Sequence, residues 1–299
     1  MKCIYHNDLD GKCAAHWVHR NVGIHDNNIV KWIPDSFGIA IDYKDSFPFD
    51  KIQSNEQVWI VDFSLSLDDM RKLLSITKDV TWIDHHKTAI EKYKDFEHEI
   101  RGVRYDGYAG CELTYAYIHK MTQRGDGDIK EFTPSMLDDA PMFTKYVGDW
   151  DTWKFKYGDD TKRFKVAIES YNCSPESDVW FKAEENIESF IEEGKIIERY
   201  KNEYWKDIVN SFSFFVSFEG YRGIACNAGK VNSTLFDSIT EEYDIMLPFY
   251  FDGEKYTVSC YTKKDNIDCS EIAKKYGGGG HRQAAGFQCL ELPFKKESV

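Results

Sequence analysis

The chain has 299 residues, enough for two domains each with its own core. Its 38 Lys and Arg against 51 Asp and Glu leave a net charge of −13. This argues against tight, sequence-independent binding of long nucleic acid, duplex DNA included, which relies on many basic side chains neutralising phosphates, and still allows a local basic or metal-lined cleft. Eight cysteines, at positions 3, 13, 111, 173, 226, 260, 269 and 289, form no CxxC pair, and no apolar run approaches a membrane span or a signal core. The expectation is a cytoplasmic protein with reduced, structural thiols and no membrane association.

In chain order, Lys2-Cys3-Ile4-Tyr5 reads as a strand that runs into His6-Asn7-Asp8-Leu9-Asp10-Gly11. A helix is expected over about residues 12–20, strands over 29–33, 58–61 and 80–83, and a helix over about 67–75. Alternation of this kind predicts a parallel sheet covered by helices. Further helices are expected over about 112–121 and from Pro134, a good opening residue, to Tyr146, running into Val147-Gly148-Asp149-Trp150-Asp151. Residues 178–209 carry a helical stripe of Ile187, Phe190, Ile191, Ile197 and Tyr200, with charges on a solvated face. Strands come next over 212–218, 221–226, 245–251 and 256–261, with a hairpin turn at Asp252-Gly253, and a helix over about 269–275 leads to Gly277-Gly278-Gly279-Gly280-His281. The expected fold is α/β: a catalytic domain over residues 1–160, a helical connector over 161–210 and a smaller α+β domain over 211–299.

Three of the expected strands end abruptly in polar groups: His6-x-Asp8-x-Asp10, Asp62, and Asp84-His85-His86. In open α/β sheets the carboxyl edge is where ligands sit. Crowded carboxylates repel one another unless a cation joins them, so a metal site is the economical reading. Each piece has an ordinary alternative. A short acidic loop is common at surfaces, and Asp62 could cap the next helix, as could Ser64 or Ser66. Carboxylates with imidazoles and no thiolate suit manganese, magnesium or iron better than structural zinc. A pair of such ions roughly 3.5 to 4 Å apart is the usual arrangement for hydrolysing phosphate esters. The four glycines let the backbone approach a ligand and aim amides at phosphate oxygens, with the positive end of a following helical segment adding to them.

Together these stretches resemble the motifs of the DHH phosphoesterase superfamily: His6-x-Asp8-x-Asp10-Gly11, Asp62, Asp84-His85-His86 and Gly148-Asp149-Trp150-Asp151, in that order. The run from Gly277 through His281-Arg282-Gln283-Ala284-Ala285-Gly286-Phe287 resembles the DHH-associated substrate-binding domain. The resemblance implies two lobes with a cleft between them and two divalent ions, of manganese type with magnesium as the alternative. His6 and Asp8 would hold one ion, Asp10, His85 and Asp149 the other, and Asp62 would bridge them. His86 would touch the scissile phosphate and assist the leaving oxygen after in-line attack by hydroxide, Asp84 would orient the neighbouring imidazole, and Asp151 would support the ligands from behind. Gly278, Gly279, Gly280, His281 and Arg282 would bind substrate, with Tyr261 stacking on a base where many relatives carry an arginine. The implied activity is hydrolysis of short oligonucleotides, in the manner of the oligoribonucleases of the family, with nucleoside bisphosphates as further substrates. A cyclic-dinucleotide phosphodiesterase, a single-strand DNA exonuclease and an inactive nucleotide sensor stand as alternatives, and the oligomeric state is left open, a homodimer included.

Overall fold

The computed structural model of the protein describes residues 1–22, 25, 26, 29, 30, 37–124 and 131–297. The chain runs β1 (Lys2–His6), α1 (Leu9–Val22), the short antiparallel pair β2 (His25–Asp26) and β3 (Ile29–Val30), β4 (Gly38–Ile41), β5 (Val58–Val61), α2 (Leu67–Ile76), β6 (Val80–Ile83) and α3 (Lys87–Lys92). Helices α4 (Gly110–Arg124), α5 (Met142–Asp151), α6 (Asp159–Ile168), α7 (Val179–Glu185) and α8 (Ile187–Phe212) come next. After them stand β7 (Ser213–Phe218), β8 (Tyr221–Asn227), β9 (Ile245–Phe251), β10 (Tyr256–Tyr261), α9 (Cys269–Lys275), β11 (Gly279–His281) and β12 (Ala284–Cys289). Residues 31–33 of the strand expected over 29–33 lie outside the described residues. Two compact units emerge, Met1–Ile197 and Glu198–Val299, and the division falls inside α8.

The first unit is built on a parallel sheet of order β4-β1-β5-β6. Strand side chains alternate between faces, and here both faces are covered. Cys3, Tyr5, Trp59, Val61 and Ile83 pack with α1, α4 and α5, whereas Ile4, Val58, Ile60, Val80 and Trp82 pack with α2 on the opposite side. This two-sided burial is why the strands read as continuous apolar runs, and each fully buried Val, Ile or Leu contributes roughly 1.5 to 3 kcal/mol. Register then aligns the strand ends. Tyr5 lies opposite Val61 and Val61 opposite Ile83, so the next residues along, His6, Asp62 and Asp84, emerge side by side at one edge.

Of the possible caps for α2, the chain uses Ser66, whose hydroxyl accepts the Asp69 amide at 3.1 Å. The helix expected from Pro134 to Tyr146 is instead two elements. A 3-10 turn spans Pro134–Leu137, and α5 starts afresh at Met142 after Pro141. Pro141 can open a helix but cannot donate inside one, so it resets the helical phase. The stripe expected along α8 is also interrupted, because Phe190 and Ile191 are buried in the first unit while Tyr200 is 71% exposed.

The second unit is a six-stranded sheet of order β11-β12-β10-β9-β8-β7, antiparallel except for the β8–β9 pair. One face packs against α9, and Ile224, Cys226 and Met246 gather with Val209 from the end of α8. Among the described residues no helix is long and apolar enough to cross a membrane.

Candidate metal centre

The aligned strand ends of the first unit meet α1 and α5 at a cluster of acids and imidazoles. His6, Asp8 and Asp62 present ligand atoms within 4.8 Å of one another, as do Asp10, His85 and Asp151, and Asp62, His85 and His86. His6 Nδ1 lies 2.7 Å from Asp8 Oδ2 and 3.8 Å from Asp62 Oδ2. His85 Nε2 lies 3.1 Å from Asp62 Oδ1, 3.5 Å from Asp151 Oδ2 and 3.8 Å from Asp10 Oδ2. Asp62 is thus common to both sides of the cluster. Its backbone has φ of 53°, a left-handed conformation that costs a non-glycine residue of order 1 to 3 kcal/mol and concentrates at functional sites.

Supporting contacts aim these groups. Asp8 Oδ1 accepts the Gly11 amide at 2.9 Å, and Asp10 accepts the amides of Gly110 and Cys111 at 2.7 and 2.9 Å, which caps the start of α4. A Cβ on Gly110 would come within 2.6 Å of the Asp62 Cβ, so only glycine lets α4 approach the acids this closely. Asp84, fully buried, accepts the amides of His85 and His86 and lies 2.6 Å from His86 Nδ1. The same Asp84 oxygen accepts both amides, so it acts as the acceptor towards His86 Nδ1 and fixes the imidazole ring.

The electrostatics are those of a cation site. Burial, then Asp10, Asp8 and Asp151, raises the Asp62 carboxyl well above its ordinary value, and burial, then Asp10 and Asp8, pushes Asp151 up to about 8. For Asp8 burial acts upward, but the His6 imidazole and the Gly11 amide outweigh it and the carboxyl lies below its usual range. His6 is raised by its bond to Asp8; His86 is raised too, because Asp84 outweighs the effect of burial. Asp62 Oδ2 is buried and receives no hydrogen bond. An orphaned buried carboxylate oxygen among three further acids fits a divalent cation.

A pH dependence results for the metal-free protein. Asp62 and Asp151 hold protons in the folded state that the unfolded chain has released above about pH 4. The folded state therefore binds more protons, and the stability these groups contribute falls as pH rises from about 4 to about 8. Urea denaturation in a chelator should show Asp151→Asn and Asp62→Asn flattening that fall between about pH 5 and about pH 8. Equal slopes in the variants and the parent would remove this account of the cluster.

The fourth motif is arranged differently from the expectation. Asp151 joins the cluster, and Asp149 does not. Asp149 Oδ1 accepts the Lys156 amide at 2.8 Å, while Oδ2 accepts the Tyr157 amide at 3.2 Å and the Thr161 hydroxyl. Both acids lie on α5, where two residues of separation turn the side chains about 200° apart. They face opposite ways, so of the two acids Asp151 is the one that stands beside Asp10 and His85.

In the second unit Gly277 and Gly280 have φ of 76° and 143°, and a Cβ on Gly278 would collide with the Gly286 carbonyl oxygen. In place of the helical segment expected after the glycines, the run leaves α9 and enters the edge strand β11, paired with β12. Gly279, Gly280, His281 and Arg282 are exposed, and the Arg282 guanidinium donates to the Asp265 carbonyl at 2.6 Å. Tyr261 ends β10 opposite Ala284 and packs partly against the Val209 cluster. One residue near the metal cluster carries no signal in the sequence. Tyr43 places its ring 5.3 Å from His6 and 5.8 Å from His86, though it stands alone in a polar stretch with no motif.

No protein-family model matches the chain. Over 261 residues it is 30% identical to oligoribonuclease NrnB of Bacillus subtilis, covering 78% of this chain and 60% of that protein. It is 24% identical over 265 residues to the uncharacterized protein R106 of Acanthamoeba polyphaga mimivirus, covering 83% and 57%. The chain therefore spans less than two thirds of the length of the curated relatives it matches. Among solved structures, the pGpG-specific phosphodiesterase PggH of Vibrio cholerae aligns with a TM-score of 0.51 over 97% of this chain and 93% of that one, at 12% identity, which shows a common fold.

Proposed function

We propose that this chain is a member of the DHH phosphoesterase superfamily and a metal-dependent phosphodiesterase that hydrolyses short oligonucleotides, with nucleoside bisphosphates as a second substrate class. The observation that carries the reading is the convergence of His6, Asp8, Asp10, Asp62, His85 and Asp151 at one sheet edge. On this reading His6, Asp8 and Asp62 hold one divalent ion and Asp10, Asp62, His85 and Asp151 the other, and the all-oxygen-and-imidazole donor set favours manganese, with magnesium as the alternative. Such ions, when bound, supply charge neutralisation at the phosphoryl oxygens and acidify water.

The chain's own groups do the rest. Asp84 fixes the His86 ring through Nδ1 and favours the doubly protonated imidazolium, whose Nε2–H would meet the scissile phosphate and give its proton to the departing oxygen, leaving His86 neutral. In the second unit, the exposed residues Gly279, Gly280, His281 and Arg282 are assigned to substrate phosphates, and Tyr261 to the edge of that surface. The relative named as an oligoribonuclease supports a nucleic acid substrate.

The acidic balance sets the length of that substrate. With a net charge of −13 the protein attracts a long polyanion weakly, so affinity rests on a few local contacts. With manganese, kcat/KM is expected to be highest for RNA of about two to five residues, to fall for longer strands, and to depend weakly on salt. A time course on labelled RNA of about five and about twenty-five residues, beside DNA, cyclic dinucleotides and nucleoside bisphosphates, tests this. Faster, processive digestion of the long strand would favour an exonuclease, and no turnover on any of them would favour a nucleotide sensor.

A further inference from the structure

The segment after Asp151 is unlike the rest of this acidic chain. Residues 152–165 carry five basic side chains against two acidic ones, interleaved with Trp153, Phe155, Tyr157 and Phe164. Trp153 is 71% exposed. It packs edge-on to Phe155, with ring centres 5.4 Å apart, and lies 5.7 Å from Trp150. Lysines surround this aromatic group: Lys165 Nζ sits 4.8 Å from the Trp150 ring centre and Lys162 Nζ 5.8 Å from that of Phe155. On the same loop Lys154 and Lys156, with Tyr108 and Tyr157, line a cavity of about 670 Å³.

The backbone of this loop is strained, and the strain is held in place. Trp153 and Phe155 have φ of 52° and 48°, a conformation unfavourable for bulky residues. Folding alone would be served better by glycine at Trp153, whose side chain is mostly in water. The buried carboxylate of Asp149 accepts the Lys156 and Tyr157 amides and the Thr161 hydroxyl, and so clamps the loop from beneath. This explains a buried acid beside the metal cluster that takes no part in it. A costly conformation that exposes a large aromatic ring, two residues beyond a group of the metal cluster, calls for a ligand with a flat face and a negative charge nearby.

We propose that the 152–157 loop is a nucleobase-binding platform, with Trp153 stacking on a base of the oligonucleotide and Lys154 and Lys156 meeting its backbone phosphates. Stacking on an exposed aromatic ring flanked by cations is sequence-tolerant, because every base offers a π face. Asp149 is a positioning residue that acts through the loop. The proposal rests on the reading of the chain as an oligonucleotide phosphodiesterase, but concerns binding, which can be measured apart from turnover.

Equilibrium binding of a labelled pentanucleotide, with calcium in place of manganese to hold turnover off, tests it against the same oligomer made entirely of abasic residues. Trp153→Ala is expected to weaken binding of the normal oligomer about 10- to 100-fold. Trp153→Phe should restore it to within about threefold, and the abasic oligomer should bind parent and Trp153→Ala equally. Trp153→Gly should lose affinity like the alanine variant while raising the melting temperature by about 2 to 4 °C, since it relieves the backbone. Unchanged affinity in Trp153→Ala overturns the platform, even where the parent hydrolyses oligonucleotides. So does a loss of self-association in Trp153→Ala with binding intact, which would make the ring a contact between copies. Loss of hydrolysis on every substrate with Trp153-dependent binding preserved would instead remove the proposed function and leave the platform standing.

Discussion

Asp62→Asn is expected to abolish turnover and to leave the metal-free fold as stable as before, or more so. The carboxylate lies within reach of both halves of the cluster, 3.1 Å from His85 Nε2 and 3.8 Å from His6 Nδ1, and no other acid among the described residues of the centre does so. If it joins two ions, its removal disturbs both at once. The loss in kcat/KM is therefore expected to exceed the roughly 10- to 100-fold typical of a residue that only supports a ligand. Stability should move the other way. Asp62 is buried, crowded by Asp10, Asp8 and Asp151, and has one oxygen without a hydrogen bond. A neutral amide relieves the repulsion and the desolvation, as happens when function has been built at the expense of stability. Melting in a chelator alongside activity in manganese measures both effects. Near-parental activity would end the role assigned to Asp62, and a large drop in melting temperature would show that the residue serves the fold.

The two acids of α5 should separate just as sharply. Asp151→Asn removes an oxygen from the cluster, so manganese affinity measured by titration calorimetry should collapse while the metal-free melting temperature holds or rises, because a carboxyl already pushed up to about 8 becomes neutral. Asp149→Asn should do the reverse. Its two oxygens accept two amides and a hydroxyl, and an asparagine turns an NH₂ group towards donors it cannot bond. Losing hydrogen bonds to a buried charge costs about 2 to 4 kcal/mol in total, or roughly 5 to 15 °C in melting for a unit of this size. Metal binding should survive near the parental value at a temperature where the variant is folded. Calorimetry in which Asp149→Asn loses manganese and Asp151→Asn keeps it would support the assignment made from sequence instead.

These two acids mark where the sequence stops being informative. Strand ends were legible because a strand has a short period and both faces of this sheet are buried. An apolar run such as Val80-Thr81-Trp82-Ile83 has to stop where the sheet stops, and the polar residues directly after it, Asp84-His85-His86, form the edge. Parallel pairing in register then places His6, Asp62 and Asp84 together without further information. The direction of a side chain on a helix depends instead on where that helix begins. Pro141 moved the start of α5 and put Asp149 and Asp151 on the helix itself, so their facing became a question of phase that motif order does not address. The glycine run posed a similar problem, since Gly277–Gly280 permits a loop, a helix entry or a strand, and pairing with residues 284–286 chose the strand. Chain order also says nothing about Gly110 and Asp10, which touch across a hundred residues. What the sequence by itself determined was the parallel α/β layer and the row of polar groups at its edge, because local periodicity and burial suffice for both. Only the tertiary structure decided which acid of α5 joins that row, because this depends on helix phase and on contacts between segments far apart in the chain.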